Sequence, residues 1–122
     1  MRLAPVIFPF LVLAACKPLP DERHDMPGAD PQAGLRIMNK VGCASCHSIP
    51  GIAWPQGQVG PSLDGFADQA LIAGKAQNRP DILSAFVRNA PAVVPGTTMP
   101  SMPITPDESR DVAAYLYTLE RR

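Results

Sequence analysis

Cys43, Cys46 and His47 stand in the run Cys-Ala-Ser-Cys-His, where this chain concentrates its chemistry. Two thiols two residues apart, followed at once by an imidazole, form the pattern by which a polypeptide holds a haem covalently. Each thiol adds across one vinyl group of the porphyrin, and the two-residue gap matches the separation of the vinyls. The next residue then lies under the iron, where its imidazole can act as proximal ligand. Three plainer chemistries compete. A thioredoxin-like thiol pair wants a strand–helix context and a βαβ pattern, neither of which is legible here. Half a zinc site would use His47 as third ligand and then need a fourth. The other His and Cys, His24 and Cys16, lie ahead of the expected folded part. A Cys43–Cys46 disulfide suits an oxidising compartment. The adjacent His47 favours haem.

Bulk properties agree. At 122 residues the chain suggests one domain. Lys+Arg and Asp+Glu are both 11, so the net charge is zero. That argues against nucleic acid, which calls for a basic surface, and against steering of partners by a strong net field. Fifteen prolines and nine glycines imply a loop-rich fold with few aromatics. So small a domain has a thin core of its own, and a buried porphyrin would supply the missing apolar centre.

The first residues read as a targeting segment. Arg2 precedes an apolar run, Leu3 to Ala15, too short to span a bilayer as a stable helix. The run ends Leu13-Ala14-Ala15-Cys16, which resembles the lipobox of bacterial lipoproteins. That resemblance implies cleavage before Cys16 and a diacylglyceryl group on its thiol. The alternative is an ordinary secretory signal with an incidental free thiol. The expected organisation is a signal over 1–15, a lipid-anchored linker over 16–29 and one domain over 30–122. Anchoring through several acyl chains would be stable, placing the domain on the periplasmic face of a bacterial membrane. Lys17, where some inner-membrane lipoproteins carry Asp, hints at the outer membrane. Polar, proline-bearing 17–29 reads as a semi-extended tether, with His24 and Met26 as solvated linker residues.

The elements that must position the motif follow from periodicity and capping. Asp30 as N-cap and Pro31 at the first position predict a helix from about Pro31 to Gly42. Gly34, Ile37, Met38 and Val41 share one face of it. A Pro- and Gly-dense loop, 48–60, carries Trp54. Its indole either reaches a haem propionate or packs loosely over the loop, and the second reading is preferred. A short helix over Phe66 to Ala73, stopped by Gly74, is expected next. Then comes one from about Pro80 to Asn89, started near Asn78 or Arg79 and shut off by Pro91. Thr105 and Glu108 form a capping box around Pro106, and Val112, Leu116 and Leu119 repeat at helical spacing. The last helix is therefore expected over Asp107 to Glu120. No strand alternation, repeat or phosphate loop is legible.

The ordered set of helix, Cys-x-x-Cys-His, Gly60-Pro61-Ser62-Leu63, Met99-Pro100 and a terminal helix with Ala114-Tyr115-Leu116 resembles bacterial monohaem cytochromes c. The likeness runs from Asp30 to Glu120. It implies an all-α fold of three to four helices wrapped around one covalently bound haem c. It also implies that the Pro61 carbonyl accepts from the proximal His47 and that Leu63 packs on the haem. Gly34 falls where the first helix crosses the last; Met38 replaces the usual aromatic there and is read as core. The stretch Pro95-Gly96-Thr97-Thr98-Met99-Pro100 matches the family's distal-ligand segment. Met99 is thus the expected second iron ligand, Met102 the alternative, and a loop with neither bound would leave the iron open. The implied function is one-electron transfer by a monomer, not enzymatic catalysis. Donors and acceptors would be a quinol–cytochrome c reductase, a dehydrogenase or a terminal oxidase. The alternatives are an open-site haem protein (gas sensor or peroxidase-like enzyme) and the haem subunit of a larger oxidase or dehydrogenase.

Overall fold

The computed structural model describes residues 22–121; the proposed signal and Cys16 lie outside them. Four helices dominate: α1 (Pro31–Val41), α2 (Pro80–Arg88), α3 (Ala90–Val93) and α4 (Pro106–Leu116). Single 3-10 turns cover Glu22–His24, Cys43–Ser45 and Phe66–Asp68. Among the described residues no helix is long and apolar enough to cross a membrane.

The start of α1 is fixed by chemistry the sequence carries. The Asp30 carboxylate accepts from the Gln32 amide at 2.8 Å, and Pro31 has no amide to leave unpaired. The helix stops at Gly42, whose φ of 84° is left-handed and costs glycine little. Helix α4 is opened by a reciprocal capping box: Glu108 N donates to Thr105 Oγ1 at 3.1 Å, and Thr105 N donates to Glu108 Oε2 at 2.8 Å. α4 is the hub, packed against both α1 and α2. Where α1 meets it, a Cβ on Gly34 would collide with the Asp111 carbonyl, so glycine sets the approach of the two backbones. The Asp30 amide donates to Asp111 Oδ1 at 2.8 Å and tightens the same crossing. Met38, 1 % exposed, fills the core beside it with Val112, Ala113 and Leu116 of α4.

Some expectations need correction. The helix expected over Phe66 to Ala73 is a single 3-10 turn followed by a small hairpin, β1 (Leu71–Ile72) antiparallel to β2 (Ala76–Gln77). Ala73 and Gly74 both take positive φ, 49° and 69°, and Lys75 N bonds to Ile72 O at 3.0 Å. Two left-handed residues in succession reverse the chain within the three-residue loop 73–75, so Gly74 closes a hairpin and not a helix. Pro91 does not shut α2 off; the helix ends at Asn89, and Pro91 stands in the first turn of α3. α4 stops at Leu116, short of Glu120, because Leu119 turns away to accept from the Ala67 amide at 3.0 Å.

The described part of the tether, 22–29, lies on the domain. The His24 ring stacks on Tyr117 with centroids 4.0 Å apart, and Met26 packs against the core. Arg110 of α4 donates to the Pro27 carbonyl at 2.9 Å. These residues are apolar or planar enough to cover the end of α4, which outweighs their polar, proline-bearing surroundings.

Candidate functional site

Cys43, Cys46 and His47 sit on one tight turn. The amides of Cys46 and His47 both donate to the Cys43 carbonyl, at 3.2 and 3.1 Å. This 3-10 geometry follows directly on the left-handed Gly42. Cys43 is half-buried against the core and Cys46 is exposed. Burial pushes the Cys43 thiol up, a backbone hydrogen bond lowers it in part, and the neighbouring Cys46 raises it again.

The glycine-rich loop folds back over this turn. Gly57 N donates to Ala44 O at 2.9 Å and Gly60 N to Cys46 O at 2.7 Å. A Cβ on Gly57 would strike the Ser45 carbonyl, and one on Gly60 would strike the His47 ring. His47 Nδ1 lies 2.7 Å from the Pro61 carbonyl oxygen. A carbonyl only accepts, so Nδ1 carries the proton and donates, leaving the Nε2 lone pair for a metal. Leu63, whose amide bonds to Ser48 O at 2.9 Å, is half-buried against the core. Tyr115 of α4 donates to the Pro50 carbonyl at 2.6 Å and ties the loop after His47 to the helix hub. Trp54, expected to pack over the loop, stands 84 % exposed.

Met99 is half-buried and packs against the core; its amide donates to Thr97 Oγ1 at 3.4 Å. Met102 is held by its amide, which donates to the Arg88 carbonyl at 3.0 Å. Two cavities, about 780 and 310 Å³, flank the C-terminal end of α4. Neither is lined by Cys43, Cys46, His47 or Met99. Among the described residues no three His, Cys, Asp or Glu side chains converge as a metal site.

The donor set fits a covalently attached haem. Two sulfurs at Cys43 and Cys46, an imidazole held through Nδ1 with Nε2 free and a loop-borne thioether are the groups its porphyrin and iron require. Sequence reasoning missed Asn78. It donates to the carbonyls of Phe66 and Gln69 at 3.3 and 2.9 Å and accepts from Tyr117 Oη at 3.0 Å. No local pattern marks that role, since its partners lie 9 to 39 residues away.

Residues 31–120 match the family described as Cytochrome c. The chain is 31 % identical over 109 residues to cytochrome c2 of Rhodopila globiformis, across 77 % of this chain and 97 % of that one. It is 27 % identical over 88 residues to cytochrome c oxidase subunit 2 of Alkalihalophilus pseudofirmus, across 71 % of this chain. Of that oxidase subunit the match spans only a quarter (25 %). In structure it is similar to cytochrome c2 from Rhodobacter sphaeroides, with a TM-score of 0.61 at 18 % identity, covering 77 % of this chain and 98 % of the other. It is also similar to SoxXA from P. pantotrophus, with a TM-score of 0.55 at 24 % identity, covering 76 % and 83 %.

Proposed function

This chain belongs to the cytochrome c family, whose cofactor is covalently attached haem c, and on that premise we propose that it is a one-electron carrier with His47 and Met99 as axial ligands. The bound haem supplies one reversible electron at its iron. In this reading Cys43 and Cys46 would hold the porphyrin covalently through their sulfurs. The observation that carries the proposal is the 2.7 Å bond from His47 Nδ1 to Pro61 O. It fixes the ring's orientation and tautomer and leaves Nε2 free to face the iron. Leu63 would pack on the porphyrin beside it.

Met99 is preferred over Met102 because its half-buried side chain packs against the core. A thioether is a soft, neutral ligand that favours reduced iron and so raises the potential. Held by both His47 and Met99, the haem would exchange an electron with little rearrangement of this chain. The experiment is carbon monoxide binding to the reduced, matured protein. Slow or negligible binding is expected; rapid, tight binding would mean an open iron and the sensor or peroxidase reading.

The match to part of an oxidase subunit supports a second reading, in which the domain serves as haem subunit of a larger assembly. We place the protein on the periplasmic face, anchored through a lipidated Cys16, with a quinol–cytochrome c reductase, dehydrogenase or terminal oxidase as partner. The lipobox resemblance supports the anchor.

A further inference from the structure

Both candidate sulfur ligands lie on the segment 94–103, whose downstream end is fastened at one place. Asn89, between α2 and α3, forms an antiparallel bridge with Ser101. Ser101 Oγ donates to Asn89 Oδ1 at 2.9 Å, and the Met102 amide donates to the Arg88 carbonyl at 3.0 Å. Asn89 is itself tied to both helices. Its amide still bonds to Ala85 O of α2 at 2.9 Å, while its carbonyl accepts from Ala92 N of α3 at 3.1 Å. Upstream, Thr97 N bonds to Val94 O at 3.1 Å around Gly96, whose φ is 86°. Met99 hangs between these two fixed points.

A methionine side chain has three rotatable bonds and specifies its own sulfur position poorly. The backbone that carries it must supply the certainty. We propose that the Asn89–Ser101 pair is the latch that positions Met99 on the distal side of the haem. This rests on the reading of Met99 as ligand. Neither latch residue touches the iron; both act through the loop. One neutral hydrogen bond at the surface shifts an open–closed equilibrium by about twofold to tenfold.

Imidazole competes with sulfur for the ferric iron, and its apparent affinity scales with the fraction of protein whose loop has let go. The sulfur-to-iron charge-transfer band at the red end of the visible spectrum reports the displacement. Ser101→Ala and Asn89→Ala should each bind imidazole about twofold to tenfold more tightly than wild type. The double variant should gain no more than the stronger single one, because both changes break the same bond. Ser101→Thr keeps a hydroxyl and should behave as wild type. If Met99→Leu loses the band while the single variants bind imidazole like wild type, or their effects add, the latch is overturned and the ligand reading stands. If Met99→Leu keeps the band, the ligand reading fails and the latch with it.

Discussion

His47 depends on the backbone on either side of Pro61. The Pro61 carbonyl dictates which ring nitrogen holds the proton, and Gly60 leaves room for the ring at that distance. Nothing else about Gly60 demands glycine here; its φ is not left-handed. Gly60→Ala should therefore act through the imidazole. Overpacking of this kind costs about 1–3 kcal/mol, and urea unfolding of the holoprotein should show that loss together with a displaced reduction potential. An unchanged potential would show that the ring does not need the space. The motif itself was legible because its spacing is local. The Gly60 contact was not, since it spans a loop whose path the sequence leaves open.

Helix α4 gathers the elements, and two of its phenols explain how. Tyr115 reaches the loop after His47, and Tyr117, the residue that ends the helix, reaches Asn78. Burial raises the pKa of both, and the negative charge of Asp81 raises Tyr117 further. Folded phenols thus keep their protons where unfolded ones, titrating near 10, give them up. Stability is complete below pH 10 and falls as pH rises above it, because the unfolded state binds fewer protons there. Urea midpoints measured from pH 8 to 11 should drop above 10, and less steeply in Tyr117→Phe. That variant should also be about 1–3 kcal/mol less stable at pH 8, with Asn78 Oδ1 left buried without its donor. Equal slopes in both proteins would remove Tyr117 from this account. Capping residues made α1 and α4 readable, whereas the Ala73-Gly74 turn was misread because glycine after an apolar run ends helices and closes hairpins alike.

For the whole molecule, the docked segment 22–29 matters most. His24 on Tyr117, Met26 on the core and Arg110 on Pro27 bring the chain's entry point onto the end of α4. A lipid on Cys16 would then lie only a few positions ahead of a segment seated on the domain, restricting how the haem can meet a partner. Fatty-acid labelling in cells should mark the wild-type protein and not Cys16→Ala. Wild-type protein that takes up no label would refute the anchor.

The motif Cys43 to His47 and the caps at Asp30 and Thr105 depend on neighbours within a few residues. Chain order therefore determined the helical frame and marked the motif that would hold a haem. The stack of His24 on Tyr117, the Asn78 hub, the Gly60 approach and the Asn89–Ser101 bridge join residues far apart in the chain. Each depends on which surfaces meet once the helices pack, and only the folded molecule decides that.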